Sequence, residues 1–539
     1  MPFTDPRFLL LFLPAALGLH SLAARTWRAG EPDGARTGAA NWVLFAAGAA
    51  FLAAATGPLT ALVAAVAAAT FLLGRAIAGA RRGAPASPGV VGAVPELCFA
   101  LSVTISLFLF TLCRLPNRFA DTITPLLDAF DGLRFAAPGL LAPVGVSILV
   151  CHLVSCITDI YRGDADVPRG PARVLAYLLF FPCLLAGPVL RYADMSAQLA
   201  AREVSMAAIA YGVRRFTIGL AKVWLIAQTL AGPADVAFSM APDELDAAHA
   251  WLGLVCFTLQ IYFDLSGYAD MAVGLGRMLG FRLPENFQWP YAADTLHAFW
   301  RRWNMTLIAW CATYLRFPSL AADPGAPSGQ QMRATVRLLP FFGLIGIWHG
   351  PSWPLVAWGA LHGAVVAMER TGWGTALARL PAPARHAYVL LVVTLGWVLF
   401  RAETLSGAGV FVQALAGFGA APDLARPLPL TAGVWLALAA GGVSAAPLLP
   451  AVSRWSVTVD AIATALQMIV TTAAMFVWTR VLARPYGRGT TSGRGTTSGR
   501  GATSGRVGSL AGAKLRRGRG ERSGGRESSP DPPTNLPEG

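Results

Sequence analysis

Residues 338–368 read LLPFFGLIGIWHGPSWPLVAWGALHGAVVAM, with no Asp, Glu, Lys or Arg and with two histidines, His349 and His362. About 20 apolar residues suffice to cross a bilayer core. Pro351 and Pro354 make one continuous helix implausible, so the run divides into pieces at 336–348 and 353–369 that meet at Trp348-His349-Gly350. An imidazole at membrane depth is costly unless it lines a polar cavity or finds partners, which makes His349 a candidate functional residue. The conservative alternative is a neutral ring hydrogen-bonded between helices.

Working outward, the whole chain has this character. Of 539 residues, 55% are hydrophobic and only 13% charged. Further apolar runs lie at 7–24, 39–56, 57–79, 89–113, 137–160, 172–190, 207–231, 247–275, 385–402, 429–449 and 460–481. They are continuous Leu/Ala/Val/Phe runs without the alternation of barrel strands. The expected fold is all-α and polytopic, with about a dozen crossings by the usual length rule. The run at 7–24 shows no small-residue cleavage site followed by a soluble domain and is expected to remain as a first span.

The formal charge of +14 does not imply nucleic acid. Residues 482–539 hold eleven Lys/Arg against four Asp/Glu, half of the excess. The rest sits in short loops such as Arg81-Arg82 and Arg214-Arg215, where positive charge orients spans and meets anionic lipid. The seven cysteines lie in or beside apolar runs and form no metal or disulfide pattern. Residues 488–505 repeat RGTTSG, RGTTSG, RGATSG within a Gly/Arg/Ser/Pro-rich tail that cannot bury a core and is expected to be disordered. Four segments follow: N-terminal helices at 1–136, a central block at 137–405, C-terminal helices at 406–481 and the tail at 482–539.

The central block carries the polar chemistry. QIYFDLSGYADMA at 260–272 places Asp264, Ser266 and Asp270 in a span. Six residues put Asp264 and Asp270 about 240° apart on a helix, so they should not act as a paired acid and base. They are expected to satisfy neighbouring helices, with Arg277 or Arg301 as counter-charges, or to line a polar route. PENFQWPY at 284–291 reads as an interfacial loop, and FWRRWNMTL at 299–307 sets Arg301 and Arg302 between Trp300 and Trp303, as in an interfacial belt, followed by the amide of Asn304. FFPCLLAGPVLRY at 180–192 adds a third helix-breaking cluster. Broken backbone at membrane depth needs protein or a water-filled cavity to cover it, so re-entrant or interfacial helices around a central funnel are expected.

These motifs together resemble the membrane-bound O-acyltransferase family, in its bacterial branch of alginate O-acetyltransferases and of proteins that transfer D-alanine to teichoic acid. The resemblance covers Gly145-Val146-Ser147, Asp159-Ile160-Tyr161-Arg162-Gly163, Phe181-Pro182, Ala186-Gly187-Pro188, Arg191-Tyr192, Gly219-Leu220 with Lys222, Tyr262 to Tyr268, Pro284 to Phe287, Trp300 to Trp303, Trp348-His349-Gly350, Leu361-His362-Gly363 and Gly396 to Arg401. It implies that His349 is catalytic. The alginate branch usually has His directly after Trp-Arg-Arg-Trp; this chain has Asn304, and the broader family often pairs an Asn there with the later His. The branch's Arg-Asp pair before a Tyr is replaced by Ala312-Thr313 before Tyr314.

The implied activity is transfer of an acyl group, expected to be acetyl, from a thioester to a hydroxyl on an extracellular polysaccharide such as alginate. The donor is expected to be acetyl-coenzyme A or an acyl carrier protein, with no bound cofactor or metal. A neutral His349 would act as general base and Asn304 would orient the donor or stabilise the oxyanion. A covalent route would call on Ser266 or Ser352. Supporting roles are open to His362, Asp264, Ser266, Arg301, Arg302, Trp303 and Trp348, whereas His20, His152, His249, His297 and His386 read as structural or surface residues. The setting implied is a bacterial inner membrane, with the lipid bilayer, a periplasmic or membrane-anchored acetyl-transfer protein and the polymer as partners. A proton-coupled transporter and an inactive scaffold are the alternatives.

Overall fold

The computed structural model describes residues 2–25, 33–57, 59–83, 93–114, 145–168, 170–315, 328–421 and 427–445. The expected span at 460–481, the tail at 482–539, the boundary at 136 and the start of the run at 137–160 lie outside them. Among the described residues there is no strand. A π-helical turn, Phe8–Phe12, leads into α1 (Leu13–Arg25), followed by α2 (Asp33–Thr56), α3 (Leu59–Gly83), α4 (Val94–Arg114), α5 (Val146–Arg162), α6 (Ala172–Leu178), α7 (Phe181–Leu184) and α8 (Tyr192–Ala200). Next come α9 (Met206–Ala221), a π-helical stretch Lys222–Ala227, α10 (Gln228–Ser239), α11 (Ala247–Met278), α12 (Leu296–Trp300) and α13 (Met305–Tyr314). The described chain closes with α14 (Ser328–Val336), α15 (Leu338–His349), α16 (Trp353–Glu369), α17 (Gly372–Ala378), α18 (Ala382–Arg401), α19 (Leu405–Leu415) and α20 (Ala432–Ser444).

Among the described residues, five helical stretches are long and apolar enough to cross a membrane: Gly38–Thr56, Leu59–Arg81, Val94–Cys113, Ala247–Met278 and Ala382–Arg401. Their outward faces carry large apolar side chains, Leu72, Leu97, Leu107 and Leu391 among them, all more than half exposed. That is the surface lipid requires.

Two expected spans take another form. The run at 172–190 is not one helix: it breaks into α6 and the single turn α7, then runs on without helix through Gly187–Arg191. Pro182 and Pro188 supply no backbone N–H, and residues Tyr177 to Phe181 have no exposed surface, so the broken backbone is covered by protein. The run at 207–231 belongs to a longer helical path, Met206 to Ser239, in which the π-helical stretch joins α9 to α10.

The frame is the antiparallel pair α9–α11. A Cβ on Gly212 would stand 2.6 Å from the Gly274 carbonyl oxygen, and one on Gly219 would stand 2.5 Å from that of Gly267. Glycine at both levels lets the two backbones touch. Between those levels the Asp270 carboxylate bonds Arg215 Nη2 at 2.7 Å and Lys222 Nζ at 2.7 Å, and Arg215 also reaches Glu285. The expected counter-charges are therefore corrected: Arg277 lies over the Tyr211 ring at 5.3 Å, and Arg301 is exposed. Arg215 on α9 and Lys222, which opens the π-helical stretch after it, are seven residues apart and both reach Asp270.

The departure at Ala312-Thr313 is also bridged locally. Arg162 from α5 donates to the Thr313 carbonyl at 3.1 Å and sits over the Tyr314 ring at 5.7 Å. Tyr314 donates to Asp159 at 2.7 Å, and the other Asp159 oxygen accepts from Ala193 N at 2.8 Å, capping the start of α8.

Candidate active site

The apolar run at 338–368 folds as a helical hairpin. A Cβ on Gly346 would meet the Leu355 carbonyl oxygen at 2.3 Å, and one on Gly359 the Phe342 carbonyl oxygen at 2.3 Å, so α15 and α16 lie backbone against backbone. α15 and α16 are about 18 Å and about 26 Å long, and their turn carries His349.

Its turn is local chemistry. α15 ends at His349, Gly350 and Pro351 leave the helix, Ser352 takes the extended conformation of an N-cap, and Pro354 sits at the start of α16, where a missing N–H costs nothing. Trp348 and His349 then diverge. Trp348 stacks on Phe110 of α4 at 5.1 Å, while the half-buried His349 ring meets Trp358 edge-on at 5.6 Å and Phe400 at 5.1 Å.

Behind His349 lies a continuous aromatic wall. Trp358 packs on Phe400, Trp397, His362 and Trp300, with ring separations of 5.3, 6.3, 5.1 and 5.8 Å. Trp397 reaches Trp303 at 5.2 Å. The path from His349 through Trp358 and Trp397 to Trp303 ends one residue before Asn304.

Asn304 has φ +45° and ψ +48°, one of two described non-glycine residues in the left-handed region; the other is Trp289. Asn tolerates this conformation better than most side chains. The loop at 284–291 holds it there: Gln288 N donates to the Arg302 carbonyl at 2.9 Å, and Met305 N donates to the Asn286 carbonyl at 3.0 Å. The Asn286 side-chain oxygen accepts from Thr306 N and Oγ1 at 3.1 and 2.8 Å, and Thr306 Oγ1 accepts from Val189 N at 2.9 Å. All three helix-breaking clusters therefore converge on the start of α13. Glu369, closing α16, caps α12 through the Leu296 and His297 amides at 2.7 and 2.9 Å and so fixes the helix that carries Trp300.

Of the sequence candidates, His349, His362 and Trp303 share this aromatic wall with Trp300 and Trp358, and Asn304 adjoins it. Trp348 adjoins His349 in the chain but faces α4. Arg301 is exposed and Arg302 half-buried at the edge. Asp264 and Ser266, two residues apart on α11, point about 200° apart and do not share one site. Ser266 Oγ and Ser352 Oγ are buried, with no hydrogen-bond partner among the described residues. Sequence reasoning passed over Trp358, Asn286 and Glu369; Trp358 was detectable, being four residues before His362 on the same helix face. Among the described residues no three His, Cys, Asp or Glu side chains gather as a metal site.

Comparison with known proteins agrees with this architecture. A sequence model of MBOAT, the membrane-bound O-acyltransferase family, matches residues 165–400, which include both the hairpin and the Asn304 loop. A probable alginate O-acetylase of Azotobacter vinelandii is 34% identical over 419 residues, 78% of this chain and 79% of that protein. The chain belongs to the membrane-bound O-acyltransferase family. This acyltransferase is also similar to a peptidoglycan O-acetyltransferase of Helicobacter pylori, at 33% identity over 53% of the chain and 58% of the relative. A teichoic acid D-alanyltransferase of Bacillus subtilis is 25% identical over 50% of the chain and 69% of that protein. The acyltransferase is a multi-pass membrane enzyme, and the transporter reading gains no support from these relatives.

Proposed function

We propose that the enzyme O-acetylates an extracellular polysaccharide, alginate or a similar polymer, from a bacterial inner membrane. The observation that carries this reading is the position of His349, half-buried at the turn of the α15–α16 hairpin and backed by Trp358 and Phe400. The names of the relatives supply the acetyl group and the polymer class.

The donor is a thioester, acetyl-coenzyme A or an acetyl-carrier protein. His349 takes the proton from the acceptor hydroxyl as its oxygen attacks the thioester carbonyl carbon. The carbonyls ending α15 favour the positive charge the ring then carries. The C–S bond breaks, the sulfur leaves with the electron pair, and His349 returns the proton to it as thiol. Asn304 orients the donor from the mouth of the aromatic wall. The acceptor hydroxyl is that of the polymer itself or of a periplasmic or membrane-anchored acetyl-transfer protein that relays the group to it.

The test is transfer of labelled acetyl from acetyl-coenzyme A to an alginate oligosaccharide by the purified enzyme in lipid. Transfer that is lost in His349→Ala, with a monodisperse protein, supports the reading. Transfer undiminished in that variant rejects it.

A further inference from the structure

We propose that Trp358 Nε1–H and His362 Nε2–H form a two-donor site that receives the carbonyl oxygen of the acyl thioester; this rests on the acyl-transfer reading above.

Trp300 Nε1 lies 3.3 Å from His362 Nδ1. An indole N–H can only donate, so Nδ1 is the acceptor and the neutral imidazole carries its proton on Nε2. That Nε2–H has no partner among the described residues, although His362 has no exposed surface. Trp358 Nε1, also donor-only, is likewise unpartnered, in a residue 1% exposed. Unmatched buried donors are costly and uncommon; other buried polar atoms of the chain, Ser266 Oγ among them, also lack partners, but these two are donor-only N–H groups that lie together beside the His349 ring.

Four residues apart on α16, the two donors occupy one helix face. Their rings are 5.1 Å apart, and the His349 ring is 5.6 Å from Trp358. A Cβ on Gly396 would come within 2.6 Å of His362 Nε2, so only glycine at 396 lets that nitrogen sit where it does, against α18.

Because both orphans are donors, the missing ligand is an acceptor. The thioester carbonyl oxygen is the acceptor this chemistry brings beside a general base. When the acceptor hydroxyl oxygen bonds to the carbonyl carbon, the π electron pair moves onto the carbonyl oxygen and both N–H···O contacts strengthen. The hydroxyl proton passes to His349. As the carbonyl reforms, the C–S bond breaks and the sulfur takes its electron pair and the His349 proton. The products are an ester and a thiol.

The first test needs no turnover. Acetyl-coenzyme A labelled with ¹³C at the carbonyl is bound to the full-length His349→Ala protein in lipid, and its carbonyl stretch is followed by isotope-edited infrared spectroscopy. The band is expected to fall on binding and to return towards its value in solution when Trp358→Phe or His362→Asn is added. His362→Gln, whose amide nitrogen reaches the Nε2 position, is expected to keep the lowered band. A band unmoved by both Trp358→Phe and His362→Asn overturns the proposal, the niche then holding packing or water alone.

With His349 intact, Trp358→Phe is expected to lower kcat by about 10²–10³-fold with little change in KM. Its melting temperature should stay within a few degrees of the wild type, the smaller ring leaving a cavity while an unmatched polar atom is removed. A lower melting temperature with kcat unchanged would mean a packing role and overturn the assignment. Failure of the acyl-transfer reading shows itself separately, as wild-type transfer that does not depend on His349.

Discussion

Two helix pairs in this enzyme are built the same way and finished differently. In α9–α11 and in α15–α16, glycines bring antiparallel backbones into contact. The first pair matches its charges: Asp270 holds Arg215 and Lys222 at 2.7 Å each, and the atoms left over on α11, Gln260 Oε1 and Ser266 Oγ, are uncharged. The second leaves Ser352 Oγ, Trp358 Nε1 and His362 Nε2 without partners among the described residues, all near or on the helix that faces His349. Close packing fixes geometry in both cases, but only the second pair sets unmatched donors beside the His349 ring. The first pair is a frame and the second a working surface.

The largest expected effect separates them through chemistry. His349→Ala should lower acetyl transfer by at least about 10²–10⁴-fold, the usual contribution of a general base, with the melting temperature within a few degrees of wild type. A labelled-acetyl assay paired with a thermal melt in lipid checks both halves. Next comes the frame. Asp270→Asn leaves Lys222 without its carboxylate and Arg215 with Glu285 alone; loss of one partner from a buried ion cluster costs about 3–5 kcal/mol, and at cations a quarter exposed to solvent the low end of that range is expected. The loss should appear in denaturant titration, while molecules that remain folded keep the wild-type rate.

How much of this was legible follows the same division. The run at 338–368 announces a broken, charge-free segment carrying His349, and its proline positions predict the break, because both signals are local; that the chain reverses there is seen only in the structure. The ion cluster was not legible: Arg215, Lys222 and Asp270 are brought together by the glycine levels at 212/274 and 219/267, a pairing that no single window contains. The run at 172–190 was misread as a span because hydropathy reports burial and cannot distinguish lipid from protein as the surroundings. The aromatic wall was half legible. Trp300, Trp303 and Trp397 stood out by motif, whereas Trp358 was hidden among apolar neighbours and its unmatched N–H is visible only in three dimensions.

Overpacking either pair sharpens the contrast further. Gly219→Ala and Gly359→Ala each press a methyl group against a backbone carbonyl, at 2.5 and 2.3 Å from the native atoms, and should each cost about 1–3 kcal/mol. Only Gly359→Ala, which shifts the helix bearing Trp358 and His362, should also slow transfer by folded protein. The smallest effect concerns Asn304. Asn304→Gly should fold as well as wild type, since glycine accepts the left-handed backbone, whereas Asn304→Ala should lose about 1–2 kcal/mol from strain alone. Comparing their rates separates the amide's chemical contribution from that of the backbone, and equal slowing in both places the effect in the side chain.

The most direct test of the central claim is the single-turnover rate of acetyl transfer per folded molecule, measured in lipid for wild type, His349→Ala and Asp270→Asn. The account predicts a rate lost in His349→Ala with stability kept, and a rate kept in Asp270→Asn with stability lost. The reverse pattern, or a His349→Ala enzyme that transfers acetyl at the wild-type rate, would contradict it.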